Sequence, residues 1–229
     1  MSEEEKLTQI LLTKNVKMNF HTMCIGKNFY DWIKKLIPEI VACKKCEQNT
    51  PWHIYNVLDH ILVSVEEINK LTTEFSKQKR IMLAYVMFLH DLGKPKCKQT
   101  KIVDEKQVDS FFNHNVESEK IARRVLGKLG FSEKEIEYMA LLILNHDLFI
   151  NIVKNPTKQY QKEFSKETIK KLIKDFNKYG EGNDILKDIV LIGIADNKAQ
   201  NPELTVAPLE ILEETKSMLD SFKSNDMQI

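Results

Sequence analysis

The chain contains little glycine, proline or cysteine. Only 7 glycines and 6 prolines occur in 229 residues, which is few for the many tight turns of an all-β protein. The cysteines, Cys24, Cys43, Cys46 and Cys97, do not make a disulfide framework at this length. Lysine, glutamate, leucine and isoleucine are abundant and favour helices. The composition therefore predicts a helical protein whose thiols are reduced.

A strong net charge and a long apolar segment are also absent. Lys+Arg 34 against Asp+Glu 33 gives a formal net charge of +1, which argues against a DNA- or RNA-binding protein that relies on bulk charge. No apolar run reaches the roughly 18 residues of a membrane span, and the acidic N-terminus lacks the apolar core of a signal peptide. We therefore expect a cytoplasmic protein with no membrane and no DNA partner.

Periodic apolar residues predict helices along most of the chain. Residues 54–71 carry apolar side chains at three- and four-residue spacing, the pattern of an amphipathic helix. The runs 81–89 and 185–195 are apolar almost throughout, which predicts helices buried on all sides. Segments 97–110 and 150–164 are polar and aperiodic, and we interpret both as surface loops.

These elements predict an all-α fold, a helical bundle forming a single domain. With 42% hydrophobic residues, the chain can fill one large core. We expect an N-terminal helical segment (1–50) that packs on the core, a main domain (51–205), and a C-terminal helix with a polar tail (206–229).

The first apolar run ends in the sequence His90-Asp-Leu-Gly-Lys-Pro95. Gly93 is expected to adopt the left-handed conformation that ends a helix, and Pro95 prevents the helix from continuing. An imidazole and a carboxylate, both common metal ligands, are thus predicted at the last turn of a buried helix.

Other candidate ligands lie on inner faces or at ends of the predicted helices. His60 borders the stripe of 54–71, and His146 follows Ile143 by three residues, which places it on an inner face. Asp196 ends the second apolar run, where a carboxylate is costly unless it is paired or binds a metal. With His114, which precedes a helix, the predicted metal ligands are His60, His90, Asp91, His114, His146 and Asp196.

This set of imidazoles and carboxylates suits a divalent metal, one or two ions of Mn, Mg, Ni, Fe or Zn. Asp91 is well placed to bridge two ions, and a metal pair can clamp both oxygens of a displacement at phosphorus. Cys43 and Cys46 have metal-site spacing, but no second pair completes a four-sulfur site, so we expect them to be structural. Asp147 is expected to point away from its neighbour His146.

The order of these residues resembles that of the HD superfamily of metal-dependent phosphohydrolases, which are all-helical and are named for a His-Asp pair. The resemblance implies the HD-domain bundle as the fold. It also implies that one metal ion is held by His60, His90, Asp91 and Asp196. The extra ligands of a second metal ion would be His114 and His146.

The local sequence is most similar to the HD domain of bacterial tRNA nucleotidyltransferases, the CCA-adding enzymes, over roughly residues 30–205. The matching segments are Asn56-Val-Leu-Asp-His60, His90 to Pro95, Phe112-Asn-His114, Leu144-Asn-His146-Asp147, Asn155-Pro-Thr and Ala195-Asp196-Asn-Lys-Ala199. No glycine-rich nucleotidyltransferase strand precedes them. The resemblance therefore implies only the hydrolase activity, as phosphatase, 2′-nucleotidase or 2′,3′-cyclic phosphodiesterase, on nucleotides or RNA ends.

Within that function, metal-activated water is the expected nucleophile. We expect Asp91 and Lys94 to be catalytic, and His53 and Lys94 to bind substrate. Two alternatives stay open: a 5′-nucleotidase or other hydrolase of dNTP or (p)ppGpp on the same fold, and a regulatory module that binds a ligand without turnover. A homo-oligomer is compatible with the sequence.

Overall fold

Helices make up most of the computed structural model, which describes residues 1–149 and 165–222. The all-α prediction is confirmed, with one small two-stranded sheet added. The first helices are α1 (Glu3–Leu11), α2 (Val16–Ile25), α3 (Lys27–Leu36), α4 (Glu39–Lys45), α5 (Val57–Leu71), α6 (Lys77–Leu89) and α7 (Lys94–Cys97). After the strands β1 (Gln99–Val103) and β2 (Lys106–Ser110) come α8 (His114–Lys128), α9 (Glu133–Leu144), α10 (Lys166–Phe176), α11 (Gly182–Lys198) and α12 (Val206–Ser221).

Helices α5, α6 and α11 form the centre of the core. Every residue of α6 from Leu83 to Leu89 is buried, as is every residue of α11 from Asp188 to Asn197. The prediction that both apolar runs are enclosed helices is therefore confirmed. Helix α5 packs against both of them, so the residues at their ends come together on one side of the core.

The N-terminal helices belong to the same core. Helix α1 packs on α6 and α2 packs on α5. Leu7 and Phe20 are almost completely buried in the cluster that also contains Phe88. The rings of Phe20 and Phe88 lie 5.8 Å apart, so the first helices help to hold α6 in place.

The interpretation of residues 97–110 as a loop is wrong, because they form the end of α7 and an antiparallel hairpin. Asp104 and Glu105 join its strands, both with positive φ, as a two-residue turn of type I′ requires. Most of the hairpin is exposed on both faces, so its sequence lacks the alternation that normally indicates a strand. Asp109 is the exception, and it accepts hydrogen bonds from the Asn49 backbone and from Thr100.

The His90–Pro95 segment also differs from the prediction. Gly93 has a φ of −76° and is not left-handed. It is required for another reason: a Cβ there would lie 2.4 Å from the His114 carbonyl oxygen and 2.7 Å from the Ser118 nitrogen. Pro95 lies in the first turn of α7, where proline is tolerated, so the chain turns after α6 and starts a new helix.

The start of α5 and the second predicted loop also need comment. Helix α5 begins at Val57 rather than Ile54, because the Asn56 side chain caps it by accepting from the Asp59 nitrogen at 2.9 Å, leaving Ile54 53% exposed. The predicted loop 150–164, with its Asn155-Pro-Thr match, lies outside the described residues. Within the described ranges, no helix combines the length and apolar content that crossing a bilayer requires.

Candidate metal centre

The six predicted ligands converge from five helices. His60 lies in α5, His90 and Asp91 follow the last residue of α6, and His114 is the first residue of α8. His146 lies in the turn after α9, and Asp196 lies in the last turn of α11. All six are buried, and together they form two clusters that could each hold a metal ion: His60, His90, Asp91 and Asp196, and Asp91, His114 and His146.

The first cluster is built around Asp196 and one oxygen of Asp91. His60 Nε2 lies 2.8 Å from Asp196 Oδ1 and 3.2 Å from Asp91 Oδ2. His90 Nε2 lies 3.4 Å and 3.3 Å from the same two oxygens. Two imidazole nitrogens and two carboxylate oxygens therefore face one point, as the ligands of a divalent cation do.

The second cluster uses the other oxygen of Asp91. His114 Nε2 lies 3.1 Å and His146 Nε2 lies 3.7 Å from Asp91 Oδ1. Asp91 thus presents Oδ2 to one cluster and Oδ1 to the other. The arrangement is that of a carboxylate bridging two adjacent cation sites.

Backbone carbonyls orient all four imidazoles. The Nδ1 atoms of His90, His114 and His146 each lie 2.7 Å from a carbonyl oxygen three residues earlier. His60 Nδ1 lies 3.3 Å from the Ala199 carbonyl. Since a carbonyl can only accept, each Nδ1 is assigned as a protonated nitrogen, which directs each Nε2 at the centre, where its lone pair would be available to a bound cation.

This protonation leaves the inward-facing atoms without partners. His114 Nε2 and His146 Nε2 are 3.1 Å apart, and two lone pairs at that distance repel unless a cation or a proton lies between them. His60 Nε2, His90 Nε2 and Asp91 Oδ1 make no satisfactory hydrogen bond within the described part of the chain, whereas Asp91 Oδ2 faces the ammonium of Lys94. Buried polar atoms are nearly always satisfied, so this donor set fits a metal ion.

No family model matches the chain. The likeness to the HD superfamily accordingly stays a prediction. The metal centre is supported by its geometry, in which two clusters share one carboxylate and every imidazole is turned inward.

Buried charges set the electrostatics of the centre. Burial raises the pKa of Asp91, but His90 and Lys94 outweigh it and hold that pKa well below its ordinary value. Likewise, His60 and His90 overcome burial and hold the pKa of Asp196 well below normal. Burial lowers the pKa of His90, yet Asp91 and Asp196 raise it overall. The carboxylates are therefore ionised and attract cations.

Lys94 lies inside the site, as predicted. Its Nζ is 2.5 Å from Asp91 Oδ2 and donates to Gln48 Oε1 at 3.0 Å. Burial lowers the pKa of Lys94, but the Asp91 and Asp196 carboxylates more than compensate and raise it, so the ammonium stays charged. Its side chain is only 7% exposed, which is rare for lysine.

His53, which we expected to bind substrate, also lies at the site. Helix α5 does not extend back to it, yet its ring lies 5.4 Å from the His60 ring. His53 Nε2 is 3.4 Å from Lys94 Nζ, and His53 Nδ1 is 2.7 Å from Thr50 Oγ1. The turn before α5 therefore brings a second titratable ring beside the lysine.

The expectation that Asp147 points away is wrong. Its two oxygens lie 3.3 Å from His114 Nε2 and 3.5 Å from His146 Nε2. The prediction assumed that α9 continues to this residue, whereas the helix ends at Leu144 and the following turn reorients the side chain.

Sequence reasoning also missed Gln200. This residue is buried and donates to Asp196 Oδ2 at 2.9 Å. The only sequence feature that could have indicated its role is its position four residues after Asp196, a spacing at which two side chains lie next to each other on a helix. The hydrogen bond fixes one oxygen of Asp196 and leaves Oδ1 for the first cluster.

A cavity of about 300 Å³ opens onto the clusters. Its walls include Trp52, His53, Phe111 and Phe112, and its floor includes Asp91, Lys94, His146, Asp147 and Asp196. A small ligand can therefore reach both cation sites and the lysine. Cys43 and Cys46 are buried free thiols, and neither belongs to a metal cluster among the described residues.

Proposed function

We propose that the chain is a divalent-metal-dependent phosphohydrolase acting on phosphate esters of nucleotides or of RNA ends. The observation that supports this best is the position of Asp91, whose two oxygens face two histidine clusters at the floor of an open cavity. We infer one or two ions of Mn, Mg, Ni, Fe or Zn, because imidazole and carboxylate ligands suit these metals.

The residues of the chain have separable roles in this proposal. Bound divalent cations supply an activated water nucleophile and neutralise charge on a phosphoryl group. The four imidazoles, held by backbone carbonyls, keep their Nε2 atoms directed at the cations. Lys94, a buried ammonium beside Asp91, stabilises negative charge on the phosphoryl oxygens of the substrate. His53 Nε2 accepts from the Lys94 ammonium, and His53 lines the same cavity, so we assign it to positioning Lys94 and to contacting the substrate.

The sequence resemblance to the HD domain of the tRNA nucleotidyltransferases favours 2′,3′-cyclic and 2′-phosphate esters among the substrates. The cavity does not itself distinguish them from 5′-nucleotides. The phosphate position is therefore left to the assay, and turnover of 5′-nucleotides alone would assign the chain to the 5′-nucleotidase alternative.

The test measures metal content and turnover on the same samples. Protein purified without chelator is analysed for metal per chain, then assayed with 2′,3′-cyclic AMP and with 2′- and 5′-nucleotides after adding Mg, Mn, Ni or Fe. Asp91→Asn is compared with Asp188→Asn, which changes a buried aspartate remote from both clusters. We expect Asp91→Asn to lose bound metal and turnover, because both cation sites lose a ligand, whereas Asp188→Asn keeps both.

The outcomes separate the candidate functions. Metal bound at wild-type level without turnover of any ester would contradict the enzyme and support the regulatory ligand-binding alternative. Turnover that survives in Asp91→Asn, or wild-type protein that takes up no metal, would overturn the site itself. A melting curve on each variant checks that it is folded.

A further inference from the structure

Phe112 occupies an unusual position at the entrance to the cavity. Its side chain is 71% exposed, more than any other phenylalanine in the described residues, and it lines the same cavity as Asp91 and Lys94. An aromatic ring left in water forgoes the free energy of burial. A flat ligand that covers the ring would recover this free energy of burial.

The backbone around Phe112 holds this position. Asn113 has a φ of 62°, in the left-handed region that residues other than glycine seldom adopt. The next residue, His114, reaches into the second cluster, where its Nε2 lies 3.1 Å from Asp91 Oδ1. Its Nδ1 lies 2.7 Å from the carbonyl oxygen of Phe111. The left-handed residue between them therefore joins an outward aromatic ring to an inward candidate metal ligand.

The cavity is divided chemically along its depth. The floor, formed mainly by the buried lining residues, carries ionised carboxylates, imidazoles and the ammonium of Lys94, while the wall, formed by more exposed residues, carries the aromatic side chains of Trp52 and Phe112. A phosphate ester matches the floor, and a planar ring matches the wall. Nucleobases stack on exposed aromatic side chains with little dependence on their sequence.

We propose that Phe112 is a stacking platform for the base of a nucleotide whose phosphate lies over Asp91 and Lys94. The proposal rests on the proposed function, and it narrows the substrate class to phosphate esters that carry a base. Phe112 contributes to substrate binding, and the metal ligands and Lys94 contribute to the chemical step.

The kinetic test compares a substrate with a base and one without. The nucleotide that wild-type protein hydrolyses best is assayed beside ribose 5-phosphate, using Phe112→Ala, Phe112→Tyr and, as an exposed phenylalanine outside the cavity, Phe75→Ala. Loss of a stacked base is worth roughly 5- to 150-fold in binding, so we expect KM for the nucleotide to rise about tenfold or more in Phe112→Ala, with kcat little changed. Phe112→Tyr and Phe75→Ala should match wild type, and ribose 5-phosphate should not respond to any of the three.

A second experiment measures ligand binding, so that the inference can be tested without turnover. Saturation-transfer NMR on AMP with metal-free protein reports which ligand protons contact the protein. We expect the adenine H2 and H8 protons to be saturated most strongly with wild type and Phe112→Tyr, and the effect to disappear with Phe112→Ala. If no ester is hydrolysed but this pattern holds, the proposed hydrolase fails and the base platform stands. If the pattern is absent in wild type, or if Phe112→Ala affects ribose 5-phosphate as much as the nucleotide, the platform is refuted.

Discussion

Helices α6, α9 and α11 carry two buried polar groups, and the groups are built in opposite ways. Toward one end, Lys79, Tyr138 and Asp188 form a cluster that we call the lysine group. At the other end, His90, His146 and Asp196 belong to the metal centre. Along the chain the two groups lie eight residues apart at α11, eight at α9 and eleven at α6. The lysine group is satisfied by its own side chains, and the metal centre only in part.

The lysine group supplies its own donors. The ammonium of Lys79 and the hydroxyl of Tyr138 both donate to the Asp188 carboxylate, and Lys79 Nζ also lies 3.1 Å from the Tyr138 hydroxyl. Burial raises the pKa of Asp188 despite these partners. This is how a protein accommodates an isolated buried carboxylate.

The metal centre surrounds its carboxylates mainly with imidazole nitrogens, although the Lys94 ammonium lies beside Asp91 Oδ2 and Gln200 donates to Asp196 Oδ2. Because each Nδ1 donates to a carbonyl, the Nε2 atoms of His60 and His90 are the ring atoms that face Asp91 and Asp196, and a cation bound between them would use their lone pairs. His60 Nε2, His90 Nε2 and Asp91 Oδ1 are among the buried side-chain atoms of the described residues that lack a hydrogen-bond partner. The difference teaches that burial of an aspartate is not by itself the sign of a cation site; the sign is a buried aspartate faced by the ring nitrogens of several histidines.

The largest effect on this comparison is expected at Lys94, whose ammonium lies in the metal centre. Lys94→Met should lower kcat/KM by about 100-fold, the typical cost of losing one group that stabilises a developing oxyanion, while metal content stays at wild-type level. Lys96→Met is the matched control, because the Lys96 side chain is 72% exposed and pairs with Glu117. Equal activity of the two variants would remove Lys94 from the chemistry.

Breaking the lysine group should have the converse effect. Lys79→Met leaves the buried Asp188 without its cation. Breaking a fully buried ion pair costs more than about 2 kcal/mol, but Lys79 is partly exposed, so we expect the free energy of unfolding to fall by only about 2 kcal/mol. Denaturant titration measures the change, and metal content should be unaltered. A fall in metal content with unchanged stability would show that the two groups are not independent.

The last comparison concerns the junction beside the metal centre, where a damaging substitution is set against a mild one. Gly93→Ala should cost about 1–3 kcal/mol by overpacking and reduce metal content, because the added methyl group would displace the backbone that carries His114. Gly127→Ala lies in the same helix as His114, and its new methyl group would meet no neighbouring segment within 4 Å. That variant should be neutral or stabilising by about 0.5–1 kcal/mol. Thermal melts of both variants, followed by metal analysis, decide the point.

Helix content and the convergence of the six candidate ligands could be predicted because burial leaves a direct signal in sequence. An apolar run that ends in a polar residue, such as Ile185–Asp196, indicates a buried helix. It also indicates that the last side chain has a partner or a function, because an unpaired buried carboxylate is costly. Asp147 could not be placed, because its direction depends on where α9 ends. The hairpin could not be recognised, because its exposed strands are under no burial constraint that would impose alternation.

The carbonyls that orient the imidazoles have one further consequence. The atoms that turn the rings of His90, His114 and His146 are peptide oxygens of Met87, Phe111 and Ile143, and an amino acid of any type would supply the same oxygen. An alanine scan would therefore detect the ligands and miss the groups that align them. The path of the backbone therefore sets the orientation of these imidazole rings, and single substitutions at the residues that provide the carbonyls should not change it.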